Sequence, residues 1–222
     1  MAGKSRYCKV KKFQHIIFDL DGTLTDPGVG ITRSIQYALA RYGKTEKTEA
    51  LYKFIGPPLR ETFRNYYGFT IEQAEEAVSY YREYFSDKGI FENEVYPGIP
   101  ELLESLCSDN RKIYLATTKP VVYAEKILRH FRLYDYFSLV SGSNLDGSNG
   151  DKKELIAAII NRFNMTEASV MIGDRKYDIE GARANGILSV GVTYGYSEPG
   201  ELAGASPDFI ADTVADLSKI LL

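Results

Sequence analysis

Three short apolar runs in the chain end at an acidic, hydroxyl or glycine residue. They are residues 15–18 before Asp19, residues 113–116 before Thr117, and residues 170–172 before Gly173 and Asp174. Continuous apolar runs of this length are typical of strands that are buried on both faces of a parallel sheet. The pattern therefore predicts buried strands whose ends carry side chains suited to chemistry.

Helical patterns lie between and after these runs. Apolar residues recur with helical spacing from Leu155 to Phe163, and Gly186 closes a second pattern over residues 178–185 as a C-terminal cap. The apolar tail at 217–222 is expected to form a last short helix. This alternation predicts an α/β fold with a doubly wound parallel sheet. Ligands bind outside the carboxyl ends of the strands in such sheets, so the strand-ending residues are expected to lie together.

Residues 27–95 interrupt the alternation because they contain only helical patterns. The positions with helical spacing are Ile31, Ile35, Leu39 and Tyr42 in one stretch, and Ile71, Ala74, Val78, Tyr81 and Phe85 in another. Pro97 and Gly98 mark the return to the sheet. We predict a helical cap domain at 27–95, inserted into a core domain made of residues 1–26 and 96–222.

The composition restricts the classes of function. With 222 residues, 26% of them charged, and a formal net charge of -3, the chain lacks the basic excess of a nucleic-acid-binding protein. No run approaches the roughly 18 apolar residues of a membrane span, and residues 1–12 lack the apolar stretch of a signal peptide. Cys8 and Cys107 form no CxxC pair, so no structural or redox role is expected. We expect a cytoplasmic protein that binds neither nucleic acid nor a membrane.

Two carboxylates follow the first strand. Asp19 and Asp21 are two residues apart and precede Gly22. If the chain turns after Asp19, Asp21 returns to the same cleft, so one carboxylate is available for attack and the other for proton transfer. Glycine would permit this tight turn.

The other polar residues at strand ends suit a phosphate ester. Such an ester carries about two negative charges at neutral pH, so an anionic nucleophile needs a cation to screen its approach. Asp174 is a candidate ligand for Mg²⁺, which prefers a few oxygen ligands. Lys152 would neutralise further charge, and Thr117 and Thr118 would donate a hydroxyl and a backbone N–H to phosphate oxygens. The residues predict a Mg²⁺-dependent hydrolase whose partner is a small phosphate ester.

Four segments resemble, in order, the four motifs of the haloacid dehalogenase superfamily. They are DLDGTLTD at 19–26, Thr117, Lys152, and GDRKYD at 173–178. The segments IGPPL at 55–59 and YPGIP at 96–100 resemble the phosphoglycolate phosphatase group with a helical cap. The whole is similar to the 5'-nucleotidase-like branch of that group, from about Phe13 to the C-terminus. The resemblance implies phosphomonoester hydrolysis of a nucleoside 5'-monophosphate or phosphoglycolate.

The resemblance also implies a role for each matching residue. By this resemblance Asp19 is the nucleophile, and Asp21 is the general acid and base. Thr117 and Lys152 bind the phosphate. Asp174 is a metal ligand together with Asp19 and the carbonyl of Asp21, and Asp178 orients Lys152 or the metal's waters. Lys153 is an alternative to Lys152, since the two are adjacent. Lys119, next to the threonine pair, is expected to act only through other residues.

Two alternatives in function and one choice of substrate stay open. A sugar-phosphate mutase would use the same nucleophile and metal but would return the phosphate to a sugar hydroxyl and not to water. A non-enzymatic regulator would keep the fold without the activity. A dehalogenase has no need of Asp21. In the cap, an exposed ring would stack on a nucleobase, or an arginine would pair with a carboxylate. The candidates are Tyr66, Tyr67, Tyr80, Tyr81 and Tyr84 for stacking, and Arg33, Arg60 and Arg64 for pairing.

Overall fold

A computed structural model describes residues 13–165 and 168–222. The strands are β1 (His15–Phe18), β2 (Thr25–Asp26), β3 (Glu94–Val95), β4 (Lys112–Pro120), β5 (Phe137–Ser143), β6 (Ser169–Gly173), β7 (Leu188–Val192) and β8 (Phe209–Ala211). The α-helices are α1 (Gly28–Ala40), α2 (Thr48–Leu51), α3 (Leu59–Tyr67), α4 (Ile71–Tyr84), α5 (Ile99–Ser108), α6 (Val121–His130), α7 (Lys152–Phe163), α8 (Lys176–Ala184), α9 (Glu201–Ala205) and α10 (Val214–Leu221). Short 3₁₀ helices lie at Tyr52–Phe54 and Tyr134–Tyr136, and a π-helical turn lies at Phe85–Gly89.

The main sheet of the described residues is six-stranded and parallel, in the order β5-β4-β1-β6-β7-β8. The chain adds β4 and β5 on one side of β1 and then crosses back to add β6 on the other side. β1 is therefore the point at which the strand order reverses, and ligands of such sheets bind outside the strand ends there. This topology confirms the predicted α/β fold with a doubly wound parallel sheet.

Alternate residues of β1 face opposite layers of the core, as the two-residue period of a strand requires. Ile16 and Phe18 pack in a large apolar cluster that continues into the helices of residues 27–95. Ile17 packs on the opposite face with Ile156 and Ile159 of α7. Helices on both faces thus explain why the strands appear in sequence as continuous apolar runs.

Residues 27–95, called the helical segment below, contain α1 to α4 with the 3₁₀ and π-helical turns between them. Its residues 27–93 lie between β2 and β3, which pair antiparallel with Thr25 opposite Val95. The last two residues of the segment, expected to be helical like the rest, therefore form a strand because they pair with β2. A capping box formed by Thr70 and Gln73 begins α4. Ile71, expected on the buried face, is instead 60% exposed; it is the first residue of α4, and the buried face of this helix begins at Ala74.

The structure bears on four smaller points. The apolar tail forms α10, as predicted, and β4 extends beyond the predicted run to include Thr117 through Pro120. No helix of the described residues is long and apolar enough to cross a membrane. Cys107 is a free thiol, whereas Cys8 lies outside the described residues.

Candidate active site

Asp19 begins the site at the carboxyl end of β1. Its backbone N–H continues the sheet by donating to Ile172 of β6, and its Oδ1 accepts from the backbone of Leu20 at 2.7 Å. Lys152 Nζ lies 2.9 Å from the same Oδ1. The carboxylate is therefore buried, held from two directions and adjacent to a positive charge.

A tight turn after Asp19 brings Asp21 back to the same end of the sheet. The backbone N–H groups of Leu24 and Thr25 both donate to the carbonyl of Leu20. Gly22 has a φ of 81°, and a Cβ at this position would lie 2.2 Å from Oδ2 of Asp174. Only glycine satisfies both the left-handed backbone and this close approach.

Lys152 lies at the start of α7, whose N-terminus is capped by Asp151. Its Nζ contacts Asp178 at 2.7 Å and donates to the carbonyl of Ala116 at 2.9 Å, in addition to its contact with Asp19. Burial alone would lower the pKa of Lys152, but the two carboxylates outweigh it and raise that pKa. The side chain of Lys153 is exposed, so it is Lys152 that the fold brings to Asp19.

Two further carboxylates complete an acidic cluster beside Asp19. Asp174 follows β6 and accepts from the backbone N–H of Tyr196 at 2.8 Å, and Asp178 lies in the first turn of α8. Burial, with the neighbouring carboxylates, raises the pKa of Asp174 well above its ordinary value and that of Asp178 to about 6. Oxygen atoms of Asp19, Asp174 and Asp178 lie within 4.8 Å of one another, as a divalent cation requires.

The two threonines at the end of β4 have different surroundings. Thr117 is buried, and its hydroxyl accepts from the backbone N–H of Lys119 at 3.3 Å. The hydroxyl of Thr118 donates to the carbonyl of Gly56 in the helical segment at 3.2 Å. Thr118 therefore joins the strand end to the helical segment, a contact that its position in the sequence did not indicate.

Lys119 is more central than the sequence suggested. It is 8% exposed, and its Nζ lies 2.8 Å from Oδ2 of Asp21. Burial raises the pKa of Asp21, and the positive charge of Lys119 opposes this rise. The sequence feature that could have indicated this role is the position of Lys119 directly after the strand-end threonines.

Arg175, which follows Asp174, was also missed. Its guanidinium pairs with Glu201 of α9 at 2.9 Å and donates to the carbonyl of Ile55 in the helical segment. With the Thr118 contact, it fastens the loop that contains Gly56 to two of the strand ends. The candidate site is thus bounded on one side by the sheet and on the other by this loop.

A cavity of about 900 Å³ lies between the strand ends and the helical segment. Asp21, Lys119 and Lys152 line it, and Lys152 contacts Asp19, which does not line it. Aromatic and basic side chains also line it, among them Tyr81, Phe85, Tyr123, Tyr177, Arg60 and Arg64. Its size falls within the range of small-molecule sites.

The tyrosines and arginines singled out in the helical segment therefore divide. Tyr81 lines the cavity, together with Arg60 and Arg64. Tyr66 is 60% exposed but lies on a neighbouring depression, against Lys53. Arg33 pairs with Glu92 outside the cavity, and Tyr67, Tyr80 and Tyr84 do not line it. Tyr123 of α6 and Tyr177 of α8 were not predicted, because they lie outside residues 27–95.

Known proteins resemble the chain over most of its length. The 5'-nucleotidase of Pseudomonas aeruginosa is 46% identical over 95% of this chain and 96% of its own length. Tyrosine-protein kinase PtkA of Mycobacterium tuberculosis is 36% identical over 94% of this chain and 72% of the kinase. The crystal structure of a predicted phosphatase from Clostridium acetobutylicum has a TM-score of 0.89 and 43% identity, with coverage of 94% and 97%.

The family assignment rests on a match that covers most of the chain. The model of the haloacid dehalogenase-like hydrolases matches residues 16–192, which include Asp19, Asp21, Lys152 and Asp174. The relatives and the parallel sheet are in accord with this match. The chain therefore belongs to the haloacid dehalogenase-like hydrolase family, among its phosphatases.

Proposed function

We propose that this enzyme is a Mg²⁺-dependent phosphatase that hydrolyses nucleoside 5'-monophosphates through an aspartyl-phosphate on Asp19. The observation that carries the proposal is the position of Asp19. Its carboxylate lies at the switch point of the sheet, 2.9 Å from the ammonium of Lys152, and Asp21 lies on the adjacent cavity wall. A nucleophile, a positive charge and a second carboxylate thus meet where a phosphate ester would enter.

The first half-reaction transfers the phosphoryl group to Asp19. A carboxylate oxygen of Asp19 attacks phosphorus, and the bond from phosphorus to the ester oxygen breaks with its electron pair on that oxygen. Asp21 gives its proton to the departing oxygen, so the alcohol leaves neutral. The raised pKa of Asp21 suits this role because it favours the protonated form.

The second half-reaction regenerates the enzyme. Asp21, now ionised, takes a proton from water while the oxygen of that water attacks phosphorus. The bond between phosphorus and Asp19 breaks, and its electron pair returns to the carboxylate. The products are the alcohol and inorganic phosphate. Lys152 and the backbone at Thr117 and Thr118 would bind the phosphate oxygens and stabilise the charge that develops on them.

The acidic cluster fits a divalent metal. Asp19, Asp174 and Asp178 are buried carboxylates whose ligand atoms lie within 4.8 Å, and Lys152 alone leaves them with excess negative charge. Asp19 and Asp174, with the carbonyl of Asp21, would hold Mg²⁺, while Asp178 would position Lys152 or the metal's waters. When bound, Mg²⁺ would neutralise the phosphate and the carboxylates that face it.

The choice of substrate rests on the cavity and on the relatives. Aromatic rings of Tyr81, Phe85 and Tyr123 line a space large enough for a nucleoside, and flat rings favour stacking with a base. The relative from Pseudomonas aeruginosa is a 5'-nucleotidase. Phosphoglycolate is the second candidate, because Arg60 and Arg64 line the same cavity and arginine pairs well with carboxylates.

The test is a survey of kcat/KM across nucleoside 5'-monophosphates, phosphoglycolate, sugar phosphates and pyrophosphate. We expect the highest values with a nucleoside 5'-monophosphate, together with release of one inorganic phosphate per substrate. A clear preference for phosphoglycolate would reject the nucleotide proposal but keep the reaction. Phosphate that appears on an acceptor hydroxyl and not in solution would replace hydrolysis by transfer, the reaction of a mutase or a kinase.

A further inference from the structure

Lys119 is a buried lysine that the mechanism above does not use. It is 8% exposed near the end of β4, between Thr118 and Pro120. A buried ammonium is costly unless an opposite charge accepts its hydrogen bonds. Its described ionic partner is Asp21, whose Oδ2 lies 2.8 Å from Nζ. The position of this lysine is therefore tied to the carboxylate that exchanges protons with the substrate.

The second contact of Lys119 comes from the helical segment. Nζ lies 4.6 Å from the centroid of the Phe85 ring, a distance at which the ring face attracts a cation. Phe85 is itself fixed, since it stacks on Tyr81 at 5.3 Å and meets the edge of Tyr123 at 5.4 Å. The ammonium thus lies between a carboxylate of the sheet and a ring of the helical segment.

The two oxygens of Asp21 have different surroundings as a result. Oδ2 is paired with Lys119, whereas Oδ1 is buried and has no hydrogen-bond partner among the residues that the structure describes. Asp21 and Lys119 both line the cavity. Oδ1 therefore keeps a hydrogen-bonding capacity that the described residues do not use.

We propose that Lys119 is a positioning residue that holds Oδ2 of Asp21 and so fixes the orientation of the carboxyl group that protonates the leaving oxygen. This inference rests on the proposed role of Asp21 as the general acid. Because Lys119 also rests on Phe85, the carboxylate is correctly oriented only when the helical segment packs against the strand ends. The ammonium of Lys119 therefore couples the packing of the helical segment over the substrate to proton donation by Asp21.

The basicity of the leaving oxygen provides a test. The oxygen of p-nitrophenyl phosphate leaves readily as an anion, so proton donation contributes little to its rate. An alkyl phosphate has a far more basic leaving oxygen and depends on the acid, which contributes roughly 10²–10⁴-fold. Loss of the lysine should therefore lower kcat/KM by about 10–100-fold for the alkyl ester and much less for the aryl ester.

The measurement is the ratio of kcat/KM for adenosine 5'-monophosphate, or the best alkyl ester of the survey, to that for p-nitrophenyl phosphate. We expect Lys119→Met to lower this ratio as Asp21→Asn does, and Lys119→Arg to restore part of it. Phe85→Leu should give an intermediate ratio, which keeps the test informative if the methionine variant folds poorly. The matched control is Lys126→Met, which removes another lysine that contacts the helical segment, over Phe91 and on the carbonyl of Ser86.

The outcomes separate the inference from the proposed function. Lys119→Met and Phe85→Leu could lower kcat/KM equally for both substrates while Asp21→Asn changes the ratio. In that case Lys119 does not act through Asp21, and the inference is overturned. If Asp21→Asn itself leaves the ratio unchanged, Asp21 is not the acid, and the proposed role and the inference fall together. A changed ratio in Lys126→Met would show that any loosening of the helical segment has this effect, which would also overturn the specific role of Lys119.

Discussion

The ammonium of Lys152 lies 2.9 Å from Oδ1 of Asp19, and both side chains are buried at the carboxyl end of β1. Removal of one member of a buried pair leaves an uncompensated charge, which costs about 3–5 kcal/mol. We expect Lys152→Met to lower the free energy of unfolding of the metal-free protein by about this amount and kcat by at least about 10²-fold. Urea titration and steady-state rates measure both.

The adjacent lysine supplies the control for this change. Lys153 has an exposed side chain, so Lys153→Met should alter the free energy of unfolding by no more than about 0.5 kcal/mol. Equal losses of activity in the two variants would contradict the assignment of Lys152 as the phosphate-binding lysine.

Asp19→Asn keeps the size of the side chain but removes the attacking carboxylate. We expect kcat to fall by more than about 10³-fold, as for other nucleophile deletions, with an unchanged circular dichroism spectrum. Acid-quenched protein should contain no phosphorylated aspartate, whereas the wild type should. Asp135→Asn, an equal change at an exposed position, should keep full activity. Wild-type rates in Asp19→Asn would exclude covalent catalysis by this residue.

Removal of divalent metal should abolish turnover, because Lys152 alone cannot neutralise the acidic cluster and a phosphate. Activity should return with Mg²⁺ and only poorly with Ca²⁺, whose larger and looser shell would misplace Asp19. Calorimetric titration should show weaker Mg²⁺ binding in Asp174→Ala than in Asp21→Asn, since Asp21 would contribute only its backbone carbonyl. Full activity in chelator would refute metal dependence, and equal losses of affinity would refute the ligand set.

The stability of the metal-free protein should depend on pH through Asp178. Burial raises the pKa of this carboxyl from 3.8 to about 6, so the native state holds the proton more tightly than the unfolded chain between these values. Its contribution to stability is therefore present below about pH 4 and is lost as the pH rises through about 6. The free energy of unfolding of the wild type minus that of Asp178→Asn should fall across this window in urea titrations. If this difference in free energy of unfolding is constant or rises with pH, the pKa of Asp178 is not raised in the native state.

Arg175 should control the loop at Ile55 and Gly56. Its guanidinium donates to the carbonyl of Ile55, so Arg175→Ala should release the loop and raise KM by about tenfold, the effect of roughly one charge-assisted hydrogen bond. Arg183→Ala is the matched control, because Arg183 donates to the carbonyl of Ala205 in α9 and not to the helical segment. Equal KM values in the two variants would show that the loop contact does not affect substrate binding.

The sequence by itself determined the parallel sheet and the polar residues that gather at its strand ends. Residues 16–18 before Asp19 are all apolar because both faces of β1 are covered by helices, and such continuity is visible without coordinates. The turn after Asp19 was equally local, since Gly22 and the i, i+2 spacing of the carboxylates lie within a few residues. Features set by neighbours along the chain are encoded directly in the order of residues.

The tertiary structure alone decided which charged groups meet. Asp21 and Lys119 are far apart in sequence, and their contact at 2.8 Å depends on β1 and β4 pairing in one particular register. The contacts of Thr118 and Arg175 with the Gly56 loop depend on how the helical segment packs over the strand ends. Lys152 and Lys153 differ only in the side of α7 that each occupies. A one-dimensional pattern predicts that polar residues collect at an edge, but their pairing depends on register and packing, which only the folded chain specifies.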